Sequence, residues 1–474
     1  MTPLLAVLLL YALVLVAIGA WMGRRVTASS SFFVSDRTLS TGMLFSTLLA
    51  ANIGSAATVG ATSLAYREGA AAWWWSGSAG IGSFVLAFVV GPRMWQFAKT
   101  HNLMTVGDFL AHYYGTRVRL IGASVIWLGS FAILAGQLIG AGEVLAAAGN
   151  LSRPAGCFLA TLVMAAYFGI GGLRSAVPVN VVQLMIKLVG FAVAAPIALA
   201  AVHGLDAAMA LHPAPHQFWT SREPLGGWTA LFLLGPAFAF SPGLLQKVYG
   251  ARDATVVRRG VGLNAVGLMA FAVFPVLLGF AARAMFPTLE RADQALPLLM
   301  TRALPFWISA LALAAVFSAE MSAGDAVVFM LSTSGARDFY RGVLRPLASD
   351  REVLRAARAL AVAACAVGFG LTFVSKSVLD SLSVFYGVIG ATLSAPILGA
   401  LFFRANAGAA MASMIIGVTA WAAAQYLGLD WLRVATGIHW LNPAFLGLIT
   451  NLAAYLLVAL ASGRTRTPPR RSQR

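Results

Sequence analysis

Apolar residues run through this chain in blocks of about 20, the length that carries an α-helix across the ~30 Å hydrocarbon core of a bilayer. Thirteen blocks stand out, at roughly 4–22, 39–66, 70–92, 118–147, 155–172, 179–203, 226–246, 258–285, 305–335, 355–374, 381–403, 407–427 and 442–462. The first, Leu4 to Met22, imitates a secretion signal, but no basic stretch precedes it and Arg24 and Arg25 follow it where a cleavage site would stand. It reads as a spanning helix. No soluble domain fits between the blocks. One amphipathic piece, His101 to His112, suits a short helix lying at the membrane interface between the third and fourth spans.

Two blocks are interrupted. The second holds Asn52-Ile53-Gly54-Ser55 at mid-depth, and the seventh holds Gly235-Pro236 and Ser241-Pro242-Gly243. Unwound backbone inside a membrane is tolerated only where it is buried in protein or lines a cavity, because lipid offers its N–H and C=O groups no partner. The interruptions lie five blocks apart. A repeat of five helices, each copy opening on a broken helix, is the arrangement of inverted-repeat transporters, whose site sits at the membrane midplane between the copies. Gly and Pro also serve ordinary helix packing in membranes, so each break alone is weaker than the pair.

The chain is 59% hydrophobic and 10% charged, which makes lipid its solvent. Its 33 Lys and Arg against 16 acids give a net charge of +17. These cations sit in short clusters between apolar blocks and form no single basic face, so they read as topology signals and exclude nucleic acid as a partner. The tail Arg464, Arg466, Arg470, Arg471 and Arg474 argues for a cytoplasmic C-terminus and, with an odd number of spans, an outside N-terminus. Every other loop then faces inward, and those loops carry Arg24/Arg25, Arg93/Lys99, Arg174, Lys247 with Arg252, Arg258 and Arg259, and the Arg337–Arg358 cluster. Cys157 and Cys365 lie in apolar blocks without neighbours at ligand spacing, so neither a disulfide nor a structural metal is expected. His203, His212 and His216 share one outside loop with Asp206 as sole acid, and read as solvated histidines. No nucleophile–base set or phosphate loop supports an enzyme.

Four stretches in register resemble the sodium:solute symporter family. They are Ala50-Ala51-Asn52-Ile53 with Gly60 and Tyr66; Gly171-Gly172-Leu173 with Ala176-Val177 and Gln183; Gln246-Lys247 with Ala251-Arg252-Asp253 and Arg259-Gly260; and Ala319-Glu320-Met321-Ser322-Ala323-Gly324-Asp325 with Ser332 and Arg337-Asp338-Phe339-Tyr340-Arg341. The resemblance covers about residues 30–405 and implies an all-α membrane protein of about thirteen transmembrane helices. Its fold would be the LeuT-type five-plus-five inverted repeat with broken second and seventh spans. Residues 1–38 would be an extra N-terminal helix, 39–203 and 226–403 the two repeats, 404–462 two C-terminal helices and 463–474 a basic cytoplasmic tail. The implied activity is secondary active transport of a small organic solute across a bacterial-type inner membrane, by a monomer or homo-oligomer in membrane lipid, without an organic cofactor. A transport-derived sensor and an amino-acid permease of the wider fold are the alternatives.

In that family the coupling sodium lies between the second and ninth spans. Carried over, its ligands would be the carbonyls of Ala50, Ile53 and Ala319 and the hydroxyl of Ser322, while the fifth position falls on Ala323, which has no oxygen to give. Asn180 stands where the family has an acid on the ion's inner route. Lys187, seven residues on and about 700° round the helix, shares the face of Asn180 about 12 Å inside the span. Intramembrane lysine is a functional-site hypothesis by default. The expectation is that the ammonium, paired with Asp325, replaces sodium, or carries a proton as the alternative coupling ion. Glu320, about 160° from Ser322, is expected to face elsewhere. The implied substrate pocket would draw Asn52, Ala56, Ala57 and Thr58 from the second span and Trp75 and Ser76 from the third. Gln137, Phe238, and Phe385 or Tyr386 complete it from the fourth, seventh and eleventh. Sugar carriers of the family bear acids and amides at the positions of Ala56, Ala57 and Ser76, so this pocket favours a carboxylate or an apolar-bodied solute over a sugar. Trp73 and Trp74 read as part of an interfacial aromatic belt.

Overall fold

The structure, a computed structural model, is described over residues 2–23, 35–168, 173–221, 226–403, 405–438 and 440–462. Gly171, Gly172, Arg24, Arg25 and the basic tail from Arg464 lie outside the described residues. The helices used below are α1 (Pro3–Gly23), α2 (Thr41–Asn52), α3 (Ala61–Glu68), α4 (Trp73–Val85), α5 (Val106–Tyr114), α6 (Thr116–Gly149), α7 (Arg153–Phe168) and α8 (Leu173–Ala200). They continue with α9 (Leu231–Phe240), α10 (Pro242–Tyr249), α11 (Ala254–Phe271), α12 (Val273–Met285), α13 (Phe306–Ser334), α14 (Asp350–Leu371), α15 (Val378–Phe402), α16 (Ala407–Leu427) and α17 (Pro443–Ala461). Among the described residues the sheet pairing is one isolated bridge, Leu39 to Ala251.

The chain is a multi-pass helical membrane protein. Among the described residues ten helices are long and apolar enough to cross a bilayer, with Pro3–Ile18 and Arg153–Ala166 as shorter apolar helices. The thirteen spans expected from the sequence are thus not established one by one, because Ala56–Thr100 carries parts of two apolar blocks in one 45-residue helical stretch. The interfacial piece forms α5, opened by a capping box in which Thr105 and Asp108 exchange side-chain and backbone hydrogen bonds.

Helix α13 is the axis of the molecule. It is buried along most of its length and packs against α8, α6, α14 and α2. Small residues on it, such as Ala312, Ala315, Ala319 and Gly324, let these neighbours approach closely. The C-terminal pair α16 and α17 packs on itself and on α15, at the edge of this core.

Both expected breaks are present. Helix α2 stops at Asn52; Ile53 turns out of the helix (φ −84°, ψ 81°), and the chain resumes through a π-helical turn, Ala56–Gly60, into α3. Gly54 is required there, since a Cβ would press on Ala323 and come within 2.9 Å of Gln137 Oε1. The seventh span breaks at Ser241 (φ −56°, ψ 123°), between α9 and α10. Proline bars the preceding residue from helical geometry and supplies no N–H of its own, so Ser241-Pro242 suffices to part the helices. Pro236, by contrast, lies inside α9 and breaks nothing.

Candidate functional site

The broken end of α2 leaves carbonyl oxygens without helical partners, and the fully buried side chain of Lys187 on α8 meets them. Its Nζ donates to Ala50 O at 2.5 Å, to Ile53 O at 3.1 Å and to Ser322 Oγ. The Ser322 hydroxyl in turn reaches Ala50 O at 2.7 Å and Ala319 O at 3.2 Å. Three helices therefore converge on one ammonium: α2 with two carbonyls, α13 with a hydroxyl, and α8 with the charge itself. Of the five positions carried over for sodium, three touch the ammonium, Ala319 is reached through Ser322, and Ala323 presents a methyl. A sodium ion needs those same oxygens bare, so this donor set, with Lys187 on it, does not fit one.

Asn180, one face and two turns earlier on α8, donates its amide to Thr47 Oγ1 at 2.8 Å. The carbonyl of the same Thr47 accepts from Lys247 Nζ at 3.0 Å. Helix α2 is thereby pinned from α8 and α10 one turn before its break.

The acid partners differ from expectation. Among the described residues the Lys187 ammonium is bonded to uncharged oxygens and forms no ion pair with Asp325 or with Glu320. Glu320 is fully buried, and its Oε1 lies 2.8 Å from the Thr58 hydroxyl. The helical angle between Ser322 and Glu320 is as read, but the partner span is broken. Ser322 faces Ala50 before the break and Glu320 faces Thr58 after it, so both flank the same site. Lys247 was counted among the loop cations, yet α10 runs on to Tyr249 and Lys247 is 3% exposed.

Beside the ammonium, a cavity of about 70 Å³ opens between the two breaks. Six of the expected pocket residues line it: Asn52, Ala56, Gln137, Phe238, Phe385 and Tyr386. Both aromatic positions left open on the eleventh span, Phe385 and Tyr386, take part. Ala57, Thr58, Trp75 and Ser76 do not line it. Thr58 is turned to Glu320, Trp75 packs on Tyr386 with ring centroids 6.2 Å apart, and Ala57 and Ser76 are buried elsewhere. Gln137 holds Ser55 N through its Oε1 at 2.9 Å, and Asn52 donates to Asn264 Oδ1 at 3.0 Å. Residues passed over by sequence reasoning are Lys247, Glu320, Thr47 and Asn264. For Lys247 the signal existed: an ionisable residue five positions after a proline break falls within the span, where such residues are default site candidates.

Two readings away from the site are also corrected. His212 is buried, with Nε2 3.1 Å from Ala65 O and its ring on Phe280, so it is a packed loop residue and not a solvated one. Trp74 is buried against Phe218 and Trp219, which removes it from any lipid-facing belt. Among the described residues no group of three or more His, Cys, Asp and Glu is placed to hold a metal ion.

Comparison with known proteins agrees with this architecture. Residues 32–417 match the sequence model of the Sodium:solute symporter family. The sodium/pantothenate symporter of Escherichia coli is 26% identical over 95% of both chains, and that of Haemophilus influenzae 25% identical over 90% of this chain and 89% of its own. The human high affinity choline transporter 1 is 26% identical over 74% of this chain and 64% of its own. Among solved structures, a Na+-coupled sialic acid symporter superposes with a TM-score of 0.78 at 17% identity over 98% of both chains. A nucleobase-cation-symport-1 family transporter follows at 0.56 and 11%, covering 91% and 93%. These matches do not favour the sensor and permease alternatives.

Proposed function

We propose, from the premise that this chain belongs to the sodium:solute symporter family and is a secondary active transporter rather than an enzyme, that it carries a small organic solute with the Lys187 ammonium in the place of the coupling sodium. The observation that carries this reading is the hydrogen bonding of Lys187 Nζ to Ala50 O, Ile53 O and Ser322 Oγ. Relatives are named for sodium, and the family points to sodium as the ordinary coupling ion. Here a tethered cation meets the same carbonyl dipoles and hydroxyl, and Ala323 and Asn180 lack the oxygen and the acid that a free ion would use. A buried ammonium is costly unless hydrogen-bonded, and three acceptors meet its three donors. A lysine can also release its proton, which leaves the proton as the coupling ion in sodium's stead.

The solute reading is a carboxylate or an apolar-bodied molecule in preference to a sugar. Its support is the aromatic wall of Phe238, Phe385 and Tyr386 and the absence of an acid or amide at Ala56, the one of the three positions that lines the cavity. The distribution of Lys and Arg supports an outside N-terminus and a cytoplasmic C-terminus in a bacterial-type inner membrane.

The test is uptake into proteoliposomes of solutes that stabilise the purified protein. Replacing sodium with choline should leave both stabilisation and uptake unchanged. Uptake that rises with an inward proton gradient assigns the proton; uptake indifferent to it assigns an ion-independent carrier. Uptake that collapses without sodium sinks the proposal and reduces Lys187 to a structural role.

A further inference from the structure

The cavity between the breaks has a cation of its own that the reading above does not use. Lys247 is the one charged residue among the described residues that line it. Its ammonium gives one hydrogen bond, to Thr47 O, and forms no ion pair with Asp325, so two of its three N–H donors are uncommitted within the described structure. The other polar groups on the wall add to this. Gln137 has its Oε1 occupied by Ser55 N, which leaves its Nε2 as a donor, and Ser241, at the break of the seventh span, contributes a hydroxyl. Around these donors the wall is apolar: Phe238, Phe385, Tyr386 and Met330.

From this arrangement we propose that the cavity binds a small organic monocarboxylate and that Lys247 is its anion anchor, an inference that rests on the transport reading but not on its sodium-free part. A carboxylate is acceptor-only and needs donors on both oxygens. Lys247 and Gln137 supply them, and a charge-assisted bond to a carboxylate is shorter and stronger than a neutral one. A sugar would need acceptors as well as donors for its several hydroxyls, and the side-chain acceptors on the wall besides Gln137 are Asn52 Oδ1 and the hydroxyls of Ser241 and Tyr386. The same ammonium holds Thr47 O on α2, so solute and broken helix share one cation.

The experiment is a thermal-unfolding screen of the full chain in detergent, in sodium-free buffer and repeated with sodium. Its probes are pantothenate, propionate, butyrate, lactate and pyruvate, each against its primary amide. At least one carboxylate should raise the unfolding temperature dose-dependently while its amide does not. Lys247→Gln should weaken that response by tenfold or more, and Lys247→Arg should restore much of it. A response confined to the amides, an equal response to acid and amide, or no response from any carboxylate overturns the inference. Should Lys247→Gln fail to fold, the acid-versus-amide contrast in the unaltered chain decides alone. Carboxylate binding that requires sodium would remove the sodium-free reading while leaving Lys247 as the anchor, so the two ideas fail separately.

Discussion

The two helix breaks, placed alike in the two repeats, are handled in opposite ways. At the second span three backbone groups of the unwound stretch are met by side chains of other helices: Ala50 O and Ile53 O by Lys187, and Ser55 N by Gln137. At the seventh span the break is made by Pro242, which has no N–H to satisfy; no side chain caps α10, and Ser241 stands on the cavity wall. One break is stapled shut by a tethered cation. The other has no such staple, and both border the place where solute would sit. An inverted repeat therefore need not assign the same job to its two halves, and a fixed charge in one half frees the other to answer to the ligand.

The largest effect should come from removing the staple. Lys187→Ala deletes three charge-assisted hydrogen bonds and leaves Ile53 O buried without a donor and Ala50 O with the Ser322 hydroxyl alone, a loss of about 3 kcal/mol after water enters the space. The unfolding temperature should fall by several degrees and uptake should drop more than tenfold. Adding Ala323→Ser to this variant restores the oxygen that the family's sodium site has. The double variant should then be stabilised by sodium in proportion to the logarithm of its concentration, as for any ligand of the folded state, while the unaltered chain shows no sodium response. A flat sodium titration of the double variant would mean that the cage is shaped for an ammonium alone, and the comparison with an ion site would fail.

Much of this contrast is legible in the sequence. The breaks are visible because small polar residues and proline at mid-depth interrupt an otherwise apolar block where an unbroken helix would be cheapest. Lys187 is visible because its distance from Asn180 fixes its face and its depth fixes its cost. The place of Glu320 is not visible, for a physical reason: helical periodicity gives angles on α13 but not which half of a broken neighbour each face meets. Glu320 and Ser322 point apart and still border one site, because the second span passes α13 on both sides of its break. Lys247 escapes for another reason. Apolar blocks mark where hydrophobicity ends, at about residue 246, whereas α10 continues to Tyr249 and carries its lysine inside. Buried loop contacts such as Trp74 on Trp219, or His212 on Ala65 O, depend on chain returns that no local pattern encodes.

A smaller effect is expected at the open break. Pro242→Ala restores an N–H and lifts the restriction on Ser241, so α9 and α10 can join into one helix. Stability should hold or rise, because a continuous helix satisfies more of its own backbone. Uptake should nevertheless fall by roughly tenfold, equivalent to about 1.4 kcal/mol on the barrier, since Ser241 would turn away from the cavity. Unfolding temperature and uptake measured on the same preparation separate the two. A variant that loses both would show that the proline stabilises the fold and that the break is no more than a packing device.

The smallest effect tests whether the stapled half is also stiff beyond the staple. Asn52 closes α2, and its amide donates to Asn264 Oδ1 on α11 at 3.0 Å, while Asn264 Nδ2 reaches Ser83 Oγ on α4 at 3.3 Å. This chain of neutral hydrogen bonds ties the break to two helices outside the cage. Asn52→Ala should cost about 1 kcal/mol, the net worth of one such bond plus part of the penalty for leaving Asn264 buried with an acceptor unmet. Asn264→Ala should cost a similar amount, and the double variant less than the sum, with a coupling of about 0.5–1 kcal/mol in a double-mutant cycle. Additive losses would mean that Asn52 faces only the cavity. In that case the second break is held by Lys187, Gln137 and the pins on Thr47 alone, and its rigidity ends where the cage does.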